Sequence, residues 1–199
     1  MSQLCNAFQD TFWPRLKWPD FASMPAREKV VIVFPLAGFS DWGEDFPLDR
    51  EEQVSMSVLK EASQQLHPSA PHLVLPPFRF MTGPKASAAF AMDPDEVFEA
   101  IAEIVRDVKA SGFRKVVFYN SSPWNEDLVD ATARDLRINL GMQTFCINLS
   151  GLGIDLSAEL SDSVLSEAAG RLSSLIKEVA AKPGLANDGK IPEQEGDLQ

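Results

Sequence analysis

Short apolar runs alternate along this chain with longer segments in which apolar residues recur every three or four positions. The runs lie at residues 30–34, 72–75, 115–119 and 144–147. Uninterrupted apolar runs of this length are typical of strands that are buried on both faces. The first two runs are followed by proline, which stops a strand because it has no backbone donor. The pattern therefore predicts four short buried strands.

The longer segments predict amphipathic helices. They cover about residues 51–66, 93–112 and 161–181, and a fourth segment that contains Leu128 and Leu140. The sequence from Asp93 to Glu96 is a typical helix start, because it has an acidic cap, a proline in the first turn and acids near the positive end of the helix dipole. Residues 78–93 are predicted to form a surface loop.

Strands that alternate with helices predict an α/β fold. We expect a single-domain, three-layer sandwich whose mainly parallel, four-stranded sheet is flanked by helices. The domain is predicted to span residues 1–182, and the polar, acidic segment 183–199 to be a disordered tail.

In such sheets, ligands bind beyond the carboxyl ends of the strands. The loops that follow the four predicted strands are therefore expected to meet at one edge. That arrangement places the loop 40–52 beside the loop 120–125, with residues 78–90 as a lid.

The chain is acidic, with 29 Asp and Glu against 18 Lys and Arg and a net charge of −11. This balance argues against nucleic acid or an anionic membrane surface as a partner. No apolar run approaches the roughly 18 residues of a membrane span, and the first ten residues do not resemble a signal peptide. The two cysteines, Cys5 and Cys146, are too few for a disulfide framework. We therefore expect a soluble, cytoplasmic protein.

Two segments of the chain match a recurring pair of sequence patterns. Residues 35–51 are similar to the pattern P-V-G-S-x-E-Q-H-G-P-H-L-P-L-x-T-D, and the positions in register are Pro35, Gly43, Pro47 and Leu48. A later segment matches the pattern G-F-R-x-I-x-x-x-N-G-H-G-G-N at Gly112, Phe113, Arg114, Asn120 and Asn125. Both patterns belong to the creatininase family of amidohydrolases, so the chain resembles that family over about residues 14–180.

The resemblance implies a mainly parallel four-stranded sheet, assembly often as a hexamer, and a paired divalent-metal site, usually zinc or manganese. In the family this site activates water against a cyclic amide or a related C–N bond. Carried over position by position, the family's metal ligands are replaced: its glutamate by Ser40, its histidines by Trp42, Asp45 and Ser122, and its bridging aspartate by Glu51. Trp124 stands where creatininase itself supplies a carboxylate. We therefore predict no metal site of the family's kind and no cofactor.

The loop that follows the first strand is rich in carboxylates. Within twelve residues it carries Asp41, Glu44, Asp45, Asp49, Glu51 and Glu52. One interpretation is a site for a hard cation, because oxygen ligands suit magnesium, calcium or manganese. A second is a general acid–base pair in which one carboxyl is kept protonated by its neighbours. The third is a solvated acidic loop that also begins a helix.

Small and aromatic side chains stand at the remaining ligand positions. Ser40 and Ser122 are predicted to face each other, either as spacers that form hydrogen bonds or as a nucleophile, which needs a base such as Glu51 or Lys85. Trp42 and Trp124 either fill the old cavity or form a flat apolar pocket for a planar ligand. The two histidines, His67 and His72, are predicted at a helix end and at a strand entrance, away from this edge.

These considerations give two sets of candidate residues. The predicted catalytic set is Ser40, Asp45, Glu51 and Ser122. The predicted substrate-binding set is Trp42, Arg79, Tyr119, Asn120, Trp124 and Asn125. In the second set, Arg79 would neutralise an anionic ligand, and the hydroxyl of Tyr119 is expected at the rim of the site.

Three functions remain open at this point. The first is metal-independent amidohydrolase or cyclase chemistry on a small molecule, which an open pocket at this edge would favour. The second is a catalytically inactive structural or regulatory subunit that keeps the fold, which a cavity plugged by the two tryptophans would favour. The third is a hydrolase with a divalent-metal site rebuilt on carboxylates. The expected partners are a small-molecule ligand and further copies of the same chain.

Overall fold

The framework of the chain is a parallel sheet with helices on both faces. A computed structural model describes residues 11–66, 70–83 and 91–184. Its strands are β1 (Val31–Ala37), β2 (His72–Val74), β3 (Phe78–Arg79), β4 (Lys115–Asn120) and β5 (Gln143–Asn148). Its helices are α1 (Trp18–Ser23), α2 (Arg50–Leu66), α3 (Pro94–Ala110), α4 (Glu126–Leu140) and α5 (Asp162–Ala181). The α/β class predicted from the sequence is confirmed.

The order of strands in the sheet is β2-β1-β4-β5, and every pairing is parallel. β1 is long enough to pair with two strands on the same side: Val31 aligns with His72 of β2, and Leu36 aligns with Phe78 of β3. The prolines at 76 and 77 separate β2 from β3, because proline cannot donate to the ladder. The sheet is thus four positions wide, as predicted, but one edge position is shared by two strands.

The side chains of β1 alternate between two hydrophobic cores. Val31 and Val33 pack in the core formed with α2 and α5. Ile32, Phe34 and Leu36 pack in the core formed with α3 and α4. Because successive strand residues point to opposite faces, one apolar run supplies both cores and creates the three layers.

The predicted helix starts are present. The side chain of Asp93 accepts a hydrogen bond from the amide of Asp95 at 2.9 Å, and the side chain of Ser161 accepts one from the amide of Val164 at 3.4 Å. α4 ends at Gly141, whose φ of +60° is the left-handed conformation that favours glycine. In the described ranges, no helix has the length and apolar character needed to cross a bilayer.

The predicted surface loop at 78–93 is wrong in its first part. Residues 78–79 form β3, and Phe80 and Met81 are buried at 1% and 0% exposure. The reason is aromatic packing, because the rings of Phe78 and Phe80 lie 5.3 Å apart and join the core beneath α3. Residues 84–90, which include Lys85 and most of the predicted lid, lie outside the described residues.

His72 begins β2, as predicted, and its side chain is buried. Its Nδ1 lies 3.1 Å from the carbonyl oxygen of Ala70, and its Nε2 lies 3.2 Å from Oγ of Ser63. His67 and all but the first two residues of the predicted tail lie outside the described residues.

Candidate functional site at the carboxyl edge of the sheet

The loops that follow the strands meet at the carboxyl edge of the sheet, as the parallel topology predicts. The amide of Ser121 donates to the carbonyl of Leu36 at 2.9 Å, which joins the ends of β4 and β1. The side chain of Asn120 donates to that of Asn148 at 3.1 Å, which joins the ends of β4 and β5. This edge is therefore a connected hydrogen-bonded surface, and most of the candidate residues lie on it.

Glu51 is a fully buried acidic side chain at this edge. It is the second residue of α2 and is fully buried, at 0% exposure. Its Oε2 accepts a hydrogen bond from the amide of Gly38 at 2.9 Å, and its Oε1 accepts from Oγ of Ser40 at 2.6 Å and from Nε1 of Trp42 at 3.3 Å. The positive end of the α2 dipole adds to these three donors. The carboxylate is satisfied by the chain itself.

The sulfur of Met81 lies between the two candidate serines. Its Sδ is 3.6 Å from Oγ of Ser40 and 3.5 Å from Oγ of Ser122, and all three residues are buried. Ser40 has a single hydroxyl proton, and the 2.6 Å contact assigns it to Glu51. The approach of Ser40 to the thioether is therefore a packing contact. The two serine hydroxyls thus contact the same methionine sulfur.

Two buried asparagines of the candidate set hold the loop that follows β4. Asn120 donates to the carbonyl of Ser122 at 2.8 Å and accepts from its amide at 3.3 Å. Asn125 donates to the carbonyl of Phe80 at 2.9 Å and accepts from the amide of Thr82 at 3.1 Å. Both side chains thus bind backbone groups of the site's own loops.

Trp42 and Trp124 have different surroundings. Trp42 is half-buried, packs against the core of α2 and α5, and binds Glu51. Trp124 is 44% exposed and lies over Gly83, where an added Cβ would be 3.0 Å from the indole Cγ. Its carbonyl accepts from the hydroxyl of Thr82 at 3.0 Å. Trp42 fills space next to Glu51, whereas Trp124 covers the segment that carries Met81.

Two charged candidates lie on the surface. Asp45 is exposed in the turn before α2. Arg79 ends β3 and forms an ion pair with Glu52 through two guanidinium nitrogens, one of them 2.8 Å from Oε1. The side chain of Arg79 is 49% exposed, whereas that of Glu52 is 11% exposed.

Tyr119 belongs to the hydrophobic core. It is fully buried with Val117 in the core of α2 and α5, and its hydroxyl has no hydrogen-bond partner among the described residues. Burial raises the pKa of Tyr119 well above its ordinary value. The expected rim position of the hydroxyl is wrong, because the alternation along β4 turns this side chain into the sheet–helix interface.

The six carboxylates of the acidic loop do not converge. Asp41, Glu44 and Asp45 are exposed, while the carboxylate of Asp49 accepts from the side chain of Gln53 at 2.7 Å. Glu51 and Glu52 begin α2 as predicted, but they are buried, so the interpretation of a solvated loop is wrong for these two. Over residues 11–66, 70–83 and 91–184, no group of three or more His, Cys, Asp or Glu side chains is arranged to hold a metal ion.

The sequence reasoning missed Met81 and Gly38. Met81 follows Phe80 inside a segment that was assigned to a loop, and nothing in its spacing marks it as part of the site. The available signal was indirect: residues 38, 40 and 122, whose loops were expected to meet, are all small.

The profile of the creatininase (creatinine amidohydrolase) family matches residues 14–182. No curated protein sequence gives a significant match.

Several solved structures have a similar fold. A protein from Bacteroides fragilis NCTC 9343, provisionally assigned as a creatinine amidohydrolase, has a TM-score of 0.69 and 11% identity over 88% of this chain and 98% of its own. A creatinine amidohydrolase (creatininase) has a TM-score of 0.56 and 16% identity over 73% of this chain and 60% of its own. A manganese form of creatininase has a TM-score of 0.57 and 18% identity over the same fractions, 73% and 60%.

The chain spans about 60% of the length of these creatininases. The structures are too distant in sequence to show more than a common fold. The family profile, however, covers almost the whole described domain. The chain therefore belongs to the creatininase family.

Proposed function

We propose that this chain is a creatininase-family protein without the family's dinuclear metal site, and that it acts as a catalytically inactive structural or regulatory subunit. The observation that carries the proposal is the environment of Glu51. Its two carboxylate oxygens accept hydrogen bonds from Gly38, Ser40 and Trp42, so the one acidic side chain that remains at the centre of the site is directed at protein donors.

The residues present do not fit a pair of divalent cations. Zinc in proteins takes three or four nitrogen, sulfur or carboxylate ligands in a fixed arrangement. Of the five positions that the resemblance equates with ligands, only Asp45 and Glu51 carry carboxylates. Asp45 is exposed and Glu51 is already satisfied.

The burial of the side chains around Glu51 also supports the proposal, because it leaves no room for a ligand at the centre of the site. Ser40, Glu51 and Ser122 are buried at 1%, 0% and 0% exposure. The expectation was that two tryptophans would plug an inactive site. In this chain Met81 and Trp42 fill the space, and Trp124 lies outside it. This arrangement favours a subunit whose role depends on its fold and its surface.

We also propose that the chain forms homo-oligomers in the cytoplasm, a proposal that rests on the family resemblance. Size-exclusion chromatography with light scattering tests it directly. A mass of at least two times 21.9 kDa is expected, and a single-chain mass at all accessible concentrations would contradict it.

The proposed loss of metal catalysis is tested by metal analysis together with an activity assay. Protein purified without chelators is expected to contain zinc and manganese at well below one ion per chain. Added zinc or manganese is expected to give no hydrolysis of creatinine or other cyclic amides, with a creatininase as the positive control. One or two tightly bound ions per chain together with turnover would overturn the proposal.

One observation favours a second candidate function. The 2.6 Å hydrogen bond from Ser40 to Glu51 is the geometry of a nucleophile with its general base. In that reaction Oγ of Ser40 would attack an amide carbonyl carbon as Glu51 takes the hydroxyl proton. The C–N bond would then break, the amine would leave with that proton, and water would hydrolyse the acyl-serine.

A fluorophosphonate probe separates the two candidates, because it labels activated serines. We expect no labelling of Ser40 in the wild-type protein, since Met81 covers it. Labelling that disappears in Ser40→Ala, but persists in the matched variant Ser57→Ala at an exposed serine of α2, would favour the hydrolase.

A further inference from the structure

The side chain of Met81 lies directly on the α-carbon of Gly38. A Cβ added at Gly38 would be 1.9 Å from Sδ and 3.0 Å from Cγ of Met81. Real Cβ atoms do not approach other heavy atoms so closely. The thioether, together with Oε2 of Glu51 at 2.9 Å from the same added Cβ, therefore occupies the space that a side chain at position 38 would need.

The thioether packs against three small residues on two loops, and we call this contact surface its seat. Gly38 and Ser40 follow β1, and Ser122 follows β4. The family resemblance equates positions 40 and 122 with a glutamate and a histidine, which are both larger than serine. Small residues have thus replaced large ones where a large side chain has entered from a third loop. Methionine suits this exchange because its unbranched, polarisable chain fills irregular gaps.

The backbone on either side of Met81 is fixed to the neighbouring loops. The amide of Phe80 donates to the carbonyl of Ala37 at 2.9 Å, and the amide of Met92 donates to the carbonyl of Met81 at 2.8 Å. The side chain of Asn125 binds the carbonyl of Phe80 and the amide of Thr82. These bonds fix the backbone of Met81 from both sides, and so fix the point from which its side chain enters the site.

We infer that the side chain of Met81, which contacts Gly38, Ser40 and Ser122, takes the place of the family's metal centre in holding the loops of the site together. We call this side chain the brace. The thioether packs together the loops that follow β1, β3 and β4, and it excludes cations from the space between them. This inference rests on the proposed loss of the metal site. It assigns to Met81 a positioning role that is distinct from the general stability of the core.

The brace is tested first by a double-mutant cycle of Gly38→Ala and Met81→Ala, with urea unfolding as the measurement. Gly38→Ala alone is expected to lower the folded-to-unfolded ratio by about tenfold or more, because it overpacks the seat. In the Met81→Ala background the same change is expected to lower that ratio by a clearly smaller factor, because the sulfur is absent and only Oε2 of Glu51, at 2.9 Å, still obstructs the added Cβ. Additive effects of the two substitutions would overturn the brace.

The exclusion of cations is tested in a variant with the family's ligands restored: Ser40→Glu, Trp42→His, Asp45→His, Glu51→Asp and Ser122→His. Zinc chloride is titrated calorimetrically into this variant with Met81 retained and with Met81→Gly added. Binding that appears only with Met81→Gly supports the inference. Equal binding by both variants, or by neither, overturns it, because Met81 would then not control access.

The outcome of this test is separate from that of the proposed function. Zinc bound stoichiometrically by the wild-type protein would remove the proposed function, whatever the cycle gives. A wild-type protein free of zinc, combined with additive substitutions, would remove only the inference about Met81.

Discussion

Two buried charges lie at opposite edges of the same sheet, and each is satisfied at the end of a helix. At the carboxyl edge, Glu51 begins α2 and accepts three hydrogen bonds. At the amino edge, Lys115 begins β4, and its Nζ donates to the carbonyls of Val179, Ala180 and Lys182 at 3.1, 2.8 and 2.6 Å. An anion thus meets the positive end of one helix, and a cation meets the negative end of another.

The two residues differ in what the family resemblance implies for their positions, but not in how the chain surrounds them. Glu51 occupies a position that the family resemblance equates with a metal ligand, whereas no such role attaches to Lys115. Their physical situations are nevertheless the same: each charged group is buried and paired by the chain. A position inherited from a metal site is therefore no evidence of metal binding unless its lone pairs are available.

The partners of the two groups also differ in kind. Those of Lys115 are backbone carbonyls, which any sequence with this helix end provides. Those of Glu51 include the side chains of Ser40 and Trp42, at positions where the resemblance expects a glutamate and a histidine. Two of the three hydrogen bonds of Glu51 thus depend on the side chains that this sequence carries at positions 40 and 42.

The largest effect is expected from Glu51→Ala. It leaves the amide of Gly38 and the side-chain donors of Ser40 and Trp42 without their acceptor, and unsatisfied buried groups cost about 1–3 kcal/mol each. We expect the free energy of unfolding to fall by about 3 kcal/mol or more, measured by urea denaturation. Glu44→Ala, at an exposed carboxylate of the same loop, is the control and should stay within about 0.5 kcal/mol. Equal effects of the two variants would break the comparison.

Lys115→Met is expected to have the next largest effect. The substitution keeps the apolar stem but removes the donor shared by three carbonyls at the end of α5. A loss of about 1–3 kcal/mol is expected in the same measurement. Lys60→Met, at an exposed position of α2, serves as the control. An unchanged stability of Lys115→Met would show that the two charges are not equivalent.

Cys146 sharpens the comparison because burial outweighs the nearby charges of Arg137 and Arg134, which favour its ionised form. Burial, with a smaller contribution from Asp130, raises the pKa of this thiol to about 11. An unfolded thiol ionises near pH 8.5, so the contribution of Cys146 to stability is complete below about pH 8.5 and is lost as the pH rises towards 11.

We therefore expect the stability difference between pH 8 and pH 10.5 to be smaller in Cys146→Ala than in the wild-type protein. Urea midpoints at the two pH values measure this difference, with Ser163→Ala at an exposed serine as the control. An identical alkaline loss with and without the thiol would contradict the assignment.

The smallest effect is expected from Gly170→Ala, and it is a gain in stability rather than a loss. Gly170 lies within α5, and a Cβ there would meet no atom within 4 Å. Alanine in a helix interior is more favourable than glycine by about 0.5–1 kcal/mol, so the thermal midpoint should rise. A gain at Gly170 and a loss at Gly38 would show that the cost at Gly38 comes from the atoms packed against its α-carbon.

Much of the fold could be predicted from the sequence because its signals are local. Uninterrupted apolar runs gave the buried strands, and caps such as Asp93 gave the helix starts. β3 was missed because a two-residue strand has no periodicity, and the prolines beside it are typical of a loop. The pairing of residues 78–79 with the end of β1 is a tertiary event.

The site was less predictable because it depends on what each side chain contacts. An acidic residue at the start of a helix is normally solvated, so the burial of Glu51 could not be foreseen without its donors. Met81 could not be placed because it enters from a third loop. The convergence of residues 40, 51 and 122 followed from topology, whereas the methionine between the serines did not.

The most direct test of the central claim is a crystal structure of the protein after soaking in zinc and manganese, with anomalous diffraction data recorded for each metal. The account predicts no anomalous peak between residues 38–51 and 122, with Met81 still lying on Gly38 and Glu51 still bound to Ser40. An ordered ion coordinated by Glu51, with Met81 displaced from Gly38, would contradict it.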